Sequence, residues 1–139
     1  MSLLTREKLL AKELLKIEKV DLGNEEFVYV RQMTGRERDQ FEQSMLKEVK
    51  GPNGIDYQRS MKDFRAKVVV YTACDETGKL LLESRDIEVL STSMSAAKIS
   101  KIVDIAQRIN AITDQDRESL LKNSEAAPSG NSISDFVES

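Results

Sequence analysis

The chain has 139 residues, 32% of them charged, with a formal net charge of −3. That length suits one domain able to bury a core without disulfides or metals. The chain has no histidine, which removes the commonest general base and the commonest zinc ligand, and its single cysteine, Cys74, excludes an internal disulfide.

The charge is unevenly placed. None of the 21 basic residues lies beyond Lys122, whereas Glu125, Asp135 and Glu138 do. The body is neutral and the net charge belongs to the tail, which argues against a protein held on nucleic acid by counterion release. No stretch of roughly 18 apolar residues offers a membrane span, and the charged N-terminus lacks the apolar block of a signal peptide.

In chain order, residues 3–17 are predicted to form an amphipathic helix. Leu3, Leu4, Leu10, Leu14, Leu15 and Ile17 share one broad stripe, with Lys8, Lys12, Glu13 and Lys16 mostly off it. Such a stripe either packs on its own domain or is offered to a partner. Mixed charge on the other face favours protein over lipid. The period then changes to two over residues 18–31, where Val20 and Leu22 precede Gly23-Asn24 and Phe27-Val28-Tyr29-Val30-Arg31 follows. This predicts a β-hairpin, and a hairpin alone is barely stable, so helices or a third strand must cover it.

Thr34 and Glu37 have the spacing of a capping box, in which each side chain accepts from the other's amide at a helix start. Phe41, Met45, Leu46 and Val49 supply the apolar side of the helix that follows, and the Gly, Pro and Gly of residues 50–54 break it. A second helix is predicted over 56–73 from the seam Tyr57, Met61, Phe64, Val68 and Tyr71, although Val68-Val69-Val70-Tyr71-Thr72 has the composition of a strand. Gly78 suits a turn needing positive φ, and Leu80-Leu81-Leu82 is a short strand or an extended connection. A short helix starts at Ser84 or Asp86. Ser93 or Ser95 caps the best-patterned helix, 96–111, with Ile99, Ile102, Val103, Ala106 and Ile109 on one face. Thr113, with Asp114 and Asp116, opens a further short helix anchored by Leu120 and Leu121. The expected architecture is α+β and mainly α-helical. It is a single domain, 1–122, with one β-hairpin and about five helices, followed by a flexible acidic tail, 123–139, whose largest apolar pair is Phe136-Val137.

The search for chemistry returns no catalytic, cofactor or metal residues. Neither G-x-G-x-x-G nor G-x-x-x-x-G-K-[ST] occurs. A calcium loop starting at Asp75 fails, because its fifth position is Lys79 and Gly78 falls at the fourth. Cys74 reads as a small half-buried hydrophobe with no histidine to activate it. Arg31, Arg36 and Arg38 near Tyr29 hint at nucleic acid, but Glu37 and Asp39 alternate with the arginines, which makes a solvated face of ion pairs.

An interaction protein is what these exclusions leave, and here the residues carry a resemblance. "VRQMTGRERDQFEQSM" resembles a recurring block of the tail assembly chaperones of long-tailed phages, in which a strand ending like Val30-Arg31 runs into Thr-Gly-x-Glu-Arg-Asp-x-Phe-Glu. "DETGKLLLESRDIEVLSTSMSAAKISKIVDIAQRINAIT" is similar to that family's second block. It has an Asp-x-x-Gly turn, a short apolar piece, an acidic segment and a long helix closing on the pair Ile109-Asn110. "KNSEAAPSG" resembles the polar tail that often closes the shorter product. The resemblance covers roughly residues 10–130. Two features depart from it: Ser91 stands where a Gly is often found, and the loop 50–56 is individual.

The resemblance implies a non-enzymatic helper of tail morphogenesis acting in the host cytoplasm and absent from the finished virion. Its implied partners are the tape measure protein, whose long hydrophobic helices it keeps soluble, and the tail tube protein; a homo-oligomer is also allowed. It implies neither a cofactor nor a membrane. A ribosomal frameshift near the gene's end often makes a longer product in this family, and this chain would be the short form. The candidate partner-binding residues are Leu10, Leu14 and Ile17 of the N-terminal stripe, Arg36 and Arg38 of the charged turn, and Phe136 of the tail. The competing expectation is a generic adaptor or regulator of the same architecture without chaperone activity.

Overall fold

The computed structural model describes residues 1–113. The elements run α1 (Arg6–Leu10), β1 (Ile17–Gly23), β2 (Glu26–Arg31), α2 (Gly35–Gln43), β3 (Leu46–Gly51), β4 (Gly54–Arg59), α3 (Phe64–Thr72), β5 (Ala73–Cys74), a 3-10 turn (Ser84–Asp86), α4 (Ile87–Ser93) and α5 (Ala96–Ile109). This is a mixed α+β architecture with two small antiparallel sheets, β1-β2-β5 and β3-β4.

The first hairpin forms as its alternation dictates. Lys19 faces Tyr29 and Val20 faces Val28, and the two-residue loop Asn24-Glu25 has φ of 52° and 62°. Positive φ at both central residues is the loop geometry that follows the twist of the strands. Val20 and Val30 point inward and are buried against the apolar face of α5, where Ile99, Ile102, Val103, Ala106 and Ile109 are all buried. The third strand that steadies the hairpin is only two residues long, with Ala73 beside Val30 and Cys74 beside Tyr29.

Helix α3 explains the ambiguity of its own sequence. Phe64, Ala66, Val68, Val69, Val70 and Thr72 are all buried, so the helix is apolar on nearly every side and shows no clean period. Thr72 satisfies its buried hydroxyl by donating to the Val68 carbonyl at 2.6 Å. Phe41 of α2 packs on Phe64 and Tyr71 of α3, with ring centroids 5.9 and 5.8 Å apart. The cap of α5 is Ser95, whose hydroxyl accepts from the Lys98 amide.

Three expectations are corrected. The helix expected over 3–17 is only Arg6–Leu10, and Ile17 already belongs to β1. Five residues form about one turn, and with no surface to pack on, a longer helix has nothing to sustain it. The helix expected to run through Val49 stops at Gln43, and residues 46–59 form a second hairpin around Pro52-Asn53 instead of a helix–helix break. The helix expected over 56–73 starts only at Phe64, so Tyr57 is a strand residue, 65% exposed, and not part of the seam. The described residues accordingly have two hairpins where one was expected, and the balance between helix and strand among them is more even. The helix expected from Thr113, the tail and Phe136 lie outside the described residues.

Candidate functional site

The first two sequence blocks that carry the resemblance meet in space at one joint, where β2 passes into α2 beside the end of α5. The capping box is present. Thr34 Oγ1 accepts from the Glu37 amide at 3.2 Å, and Glu37 Oε1 accepts from the Thr34 amide at 2.9 Å. Arg31, 7% exposed at the end of β2, donates to Glu37 through Nη1 at 3.0 Å and Nη2 at 2.7 Å. A planar fork on a carboxylate fixes orientation as well as charge. Burial by itself would raise the Glu37 pKa. The Arg31 hydrogen bonds, the Thr34 amide, the Arg31 charge and the Thr34 hydroxyl outweigh it and hold the carboxyl below its ordinary value. An ionised carboxylate with both oxygens engaged is a poor proton donor, and its role here is to hold the corner.

Asn110 completes the joint from the other side. Its Oδ1 accepts from the Met33 amide at 2.7 Å, and its Nδ2 donates to the carbonyls of Arg31 at 3.2 Å and Ala106 at 2.9 Å. Arg38 Nη1 donates to the Asn110 carbonyl at 3.0 Å, and Gln32 Nε2 donates to the Ile109 carbonyl at 3.2 Å. Gln32 Oε1 in turn accepts from the Lys16 amide at 2.8 Å. The connection from β2 to α2 thus provides both donors and acceptors for the end of α5. Of the two turn arginines named as partner residues, Arg38 is half-buried and engaged with Asn110 and Glu42, whereas Arg36 is exposed and makes no ion pair among the described residues.

The N-terminal arm is different. Leu3, Leu4, Leu9, Leu10 and Leu14 are all exposed, Leu10 at 67% and Leu14 at 96%, and no residue of α1 is buried. Thr5 caps the short helix by accepting from the Lys8 amide. Ile17, the third candidate partner residue of the predicted stripe, is half-buried on β1, and its Cδ1 would lie 3.2 Å from a Cβ placed on Gly78, whose φ is +90°. The stripe is therefore divided: Leu10 and Leu14 face solvent, and Ile17 packs on the domain.

The second hairpin is the surface the sequence reading missed. Leu46, Ile55 and Tyr57 are exposed on it, and the register places all three on one face. Its signal was Pro-Asn between two glycines with Val49, Ile55 and Tyr57 at alternating positions on either side. An open cleft of about 360 Å³ lies between α3 and the start of α5, lined by Met61, Phe64, Met94 and Ile99, with Asp63 accepting from the Ser91 hydroxyl at its rim. Cys74 is buried, and burial raises its thiol pKa, which suits a packed side chain. Among the described residues no cluster of acidic or sulfur side chains could hold a metal ion, and no helix is long and apolar enough to cross a membrane.

Comparison with protein-family models, with curated proteins and with solved structures returns no match to this chain.

Proposed function

We propose that the protein is a non-enzymatic tail assembly chaperone of a long-tailed phage or prophage, which binds the tape measure protein and keeps it soluble during tail morphogenesis. The ordered succession of blocks in the sequence supports this reading, and the observation that carries it physically is the arm. Five exposed leucines stand on a segment with no buried residue of its own in α1. A soluble chain rarely leaves such a patch open unless something covers it. A helical client offers apolar faces at i, i+3 and i+4 spacing, and a short exposed leucine-bearing helix can lie along such a face. The charged body keeps the pair in solution.

The test is co-expression with a tape measure protein, the long helical client this reading requires. The wild-type chain should hold that client in the soluble fraction and co-purify with it. Leu10→Asp with Leu14→Asp should abolish both while circular dichroism of the variant stays that of the wild type. Retention of the client by a folded double variant would remove the arm from the reading. Failure of the wild-type chain to hold the client would favour a generic adaptor.

A further inference from the structure

The second hairpin is exposed along its length and belongs to a sheet of only two strands. A two-stranded sheet open on both sides is marginal in water, and its free edge is a template for another strand. The direction of the free groups can be derived. The Ser60 amide donates to the Met45 carbonyl at 2.6 Å, so Met45 and Ser60 face each other as a bonded pair. Bonded and non-bonded pairs alternate along an antiparallel ladder. Lys47, Val49 and Gly51 therefore direct their amides and carbonyls at β4, while Leu46, Glu48 and Lys50 direct theirs outward.

We propose that β3 pairs antiparallel with β3 of a second copy of this chain, about a two-fold axis at Val49, to form a four-stranded sheet. The charge pattern is complementary for this occupant in this register. With the axis at Val49, Glu48 faces the second copy's lysine at position 50, and Lys50 faces its glutamate at position 48. Both are outward-facing residues, so each such pair also exchanges two backbone hydrogen bonds. Neither Glu48 nor Lys50 has an ion-pair partner among the described residues of its own chain. An axis at Glu48 or Lys50 would oppose like charges, and pairing through β4 about Asp56 would oppose two carboxylates, arrangements that destabilise a strand pair. The face bearing Leu46, Ile55 and Tyr57 becomes continuous across the two copies. Pro52 has no amide to donate and ends the ladder, so the contact is short and the dimer concentration-dependent. This inference is independent of the client reading.

Cysteine cross-linking tests the register. Val49 meets its own copy in a non-bonded pair, where Cα atoms lie about 4.5 Å apart, within disulfide reach. At Lys47 the two copies stand four residues apart along the strand, roughly 13 Å, beyond that reach. Under mild oxidation Val49→Cys should give a covalent dimer and Lys47→Cys should not; the native Cys74 is buried and does not compete. Equal cross-linking of the two variants, or none of either, would overturn the proposal. Sedimentation velocity over a concentration series supplies the second arm. The wild-type chain should move from monomer toward dimer, Glu48→Lys should weaken the association by about tenfold or more, and Glu48→Lys with Lys50→Glu should restore it. A wild-type monomer throughout the series, or a double swap as weak as the single one, sinks the idea.

Discussion

Arg31 and Glu37 meet through both terminal nitrogens of the guanidinium, at 3.0 and 2.7 Å, where a strand turns into a helix. The same Glu37 closes the capping box, so one carboxylate serves the helix start and neutralises an arginine that is almost buried. Glu37→Gln should lower stability by about 2–3 kcal/mol in urea unfolding, most of it the cost of leaving Arg31 without its counter-charge.

That carboxylate also sets an acid limit. Its folded pKa lies below 4.5, the ordinary value taken for the unfolded chain, so the unfolded state takes up the proton first. The stabilisation is complete above the ordinary value and is lost as pH falls through the lowered folded one. Unfolding midpoints measured from pH 6 downward should fall more steeply for the wild type than for Glu37→Gln, and parallel curves would contradict the assignment.

Asn110→Ala should cost about 2–4 kcal/mol, because it leaves the Met33 amide and the Arg31 carbonyl without partners in a half-buried joint. Asn110→Asp keeps the acceptor and loses the donor, and should fall between. Ranking the three proteins by denaturant midpoint checks this.

Four non-glycine residues among those described have positive φ, and two of them, Ala111 and Glu25, are neither Asn nor Asp, the types that tolerate it best. Ala111, φ 53°, follows α5, with the Ile112 amide bonded to the Gln107 carbonyl and the Ala111 amide to the Arg108 carbonyl, the Schellman pattern. Glu25, φ 62°, is the second loop residue of the first hairpin. Ala111→Gly and Glu25→Gly should each stabilise by about 0.5–1 kcal/mol, the relieved strain being partly offset by the entropy of the unfolded glycine. Thermal melts of the single and double variants measure it.

Phe41 and Tyr57 separate the true core from the expected one. Phe41→Ala should cost about 3–5 kcal/mol, since Phe41 lies against Phe64 and Tyr71 and is fully buried. Tyr57→Ala, on an exposed strand, should stay within about 1 kcal/mol. A large loss at Tyr57 would revive the helical seam.

Much of the fold was legible because its signals are local. The first hairpin, the Thr34–Glu37 box, the helical reading of Val68–Thr72 and the face of α5 each rest on spacing within one element. The joint was half legible: Ile109-Asn110 stood out as part of a block, but that Asn110 binds residues 77 and 79 positions away is a tertiary fact.

The amino-acid pattern alone determined where the first hairpin, α2 and α5 start, because a cap or an alternating run needs only near neighbours; it did not place the start of α3 or the second hairpin. Where α2 ends was decided by the tertiary structure. Lys67, on α3, donates to the Ser44 carbonyl at 2.6 Å and closes the helix from 23 residues away, while Met45 turns into the core and releases β3. The arm shows the same division. Its leucines have helical spacing, but only the packed domain reveals that Ile17 is drawn into a strand and that Leu10 and Leu14 have no surface of their own to cover. A stripe records that burial is favourable; the distant residues of the fold decide whether a surface is there to receive it.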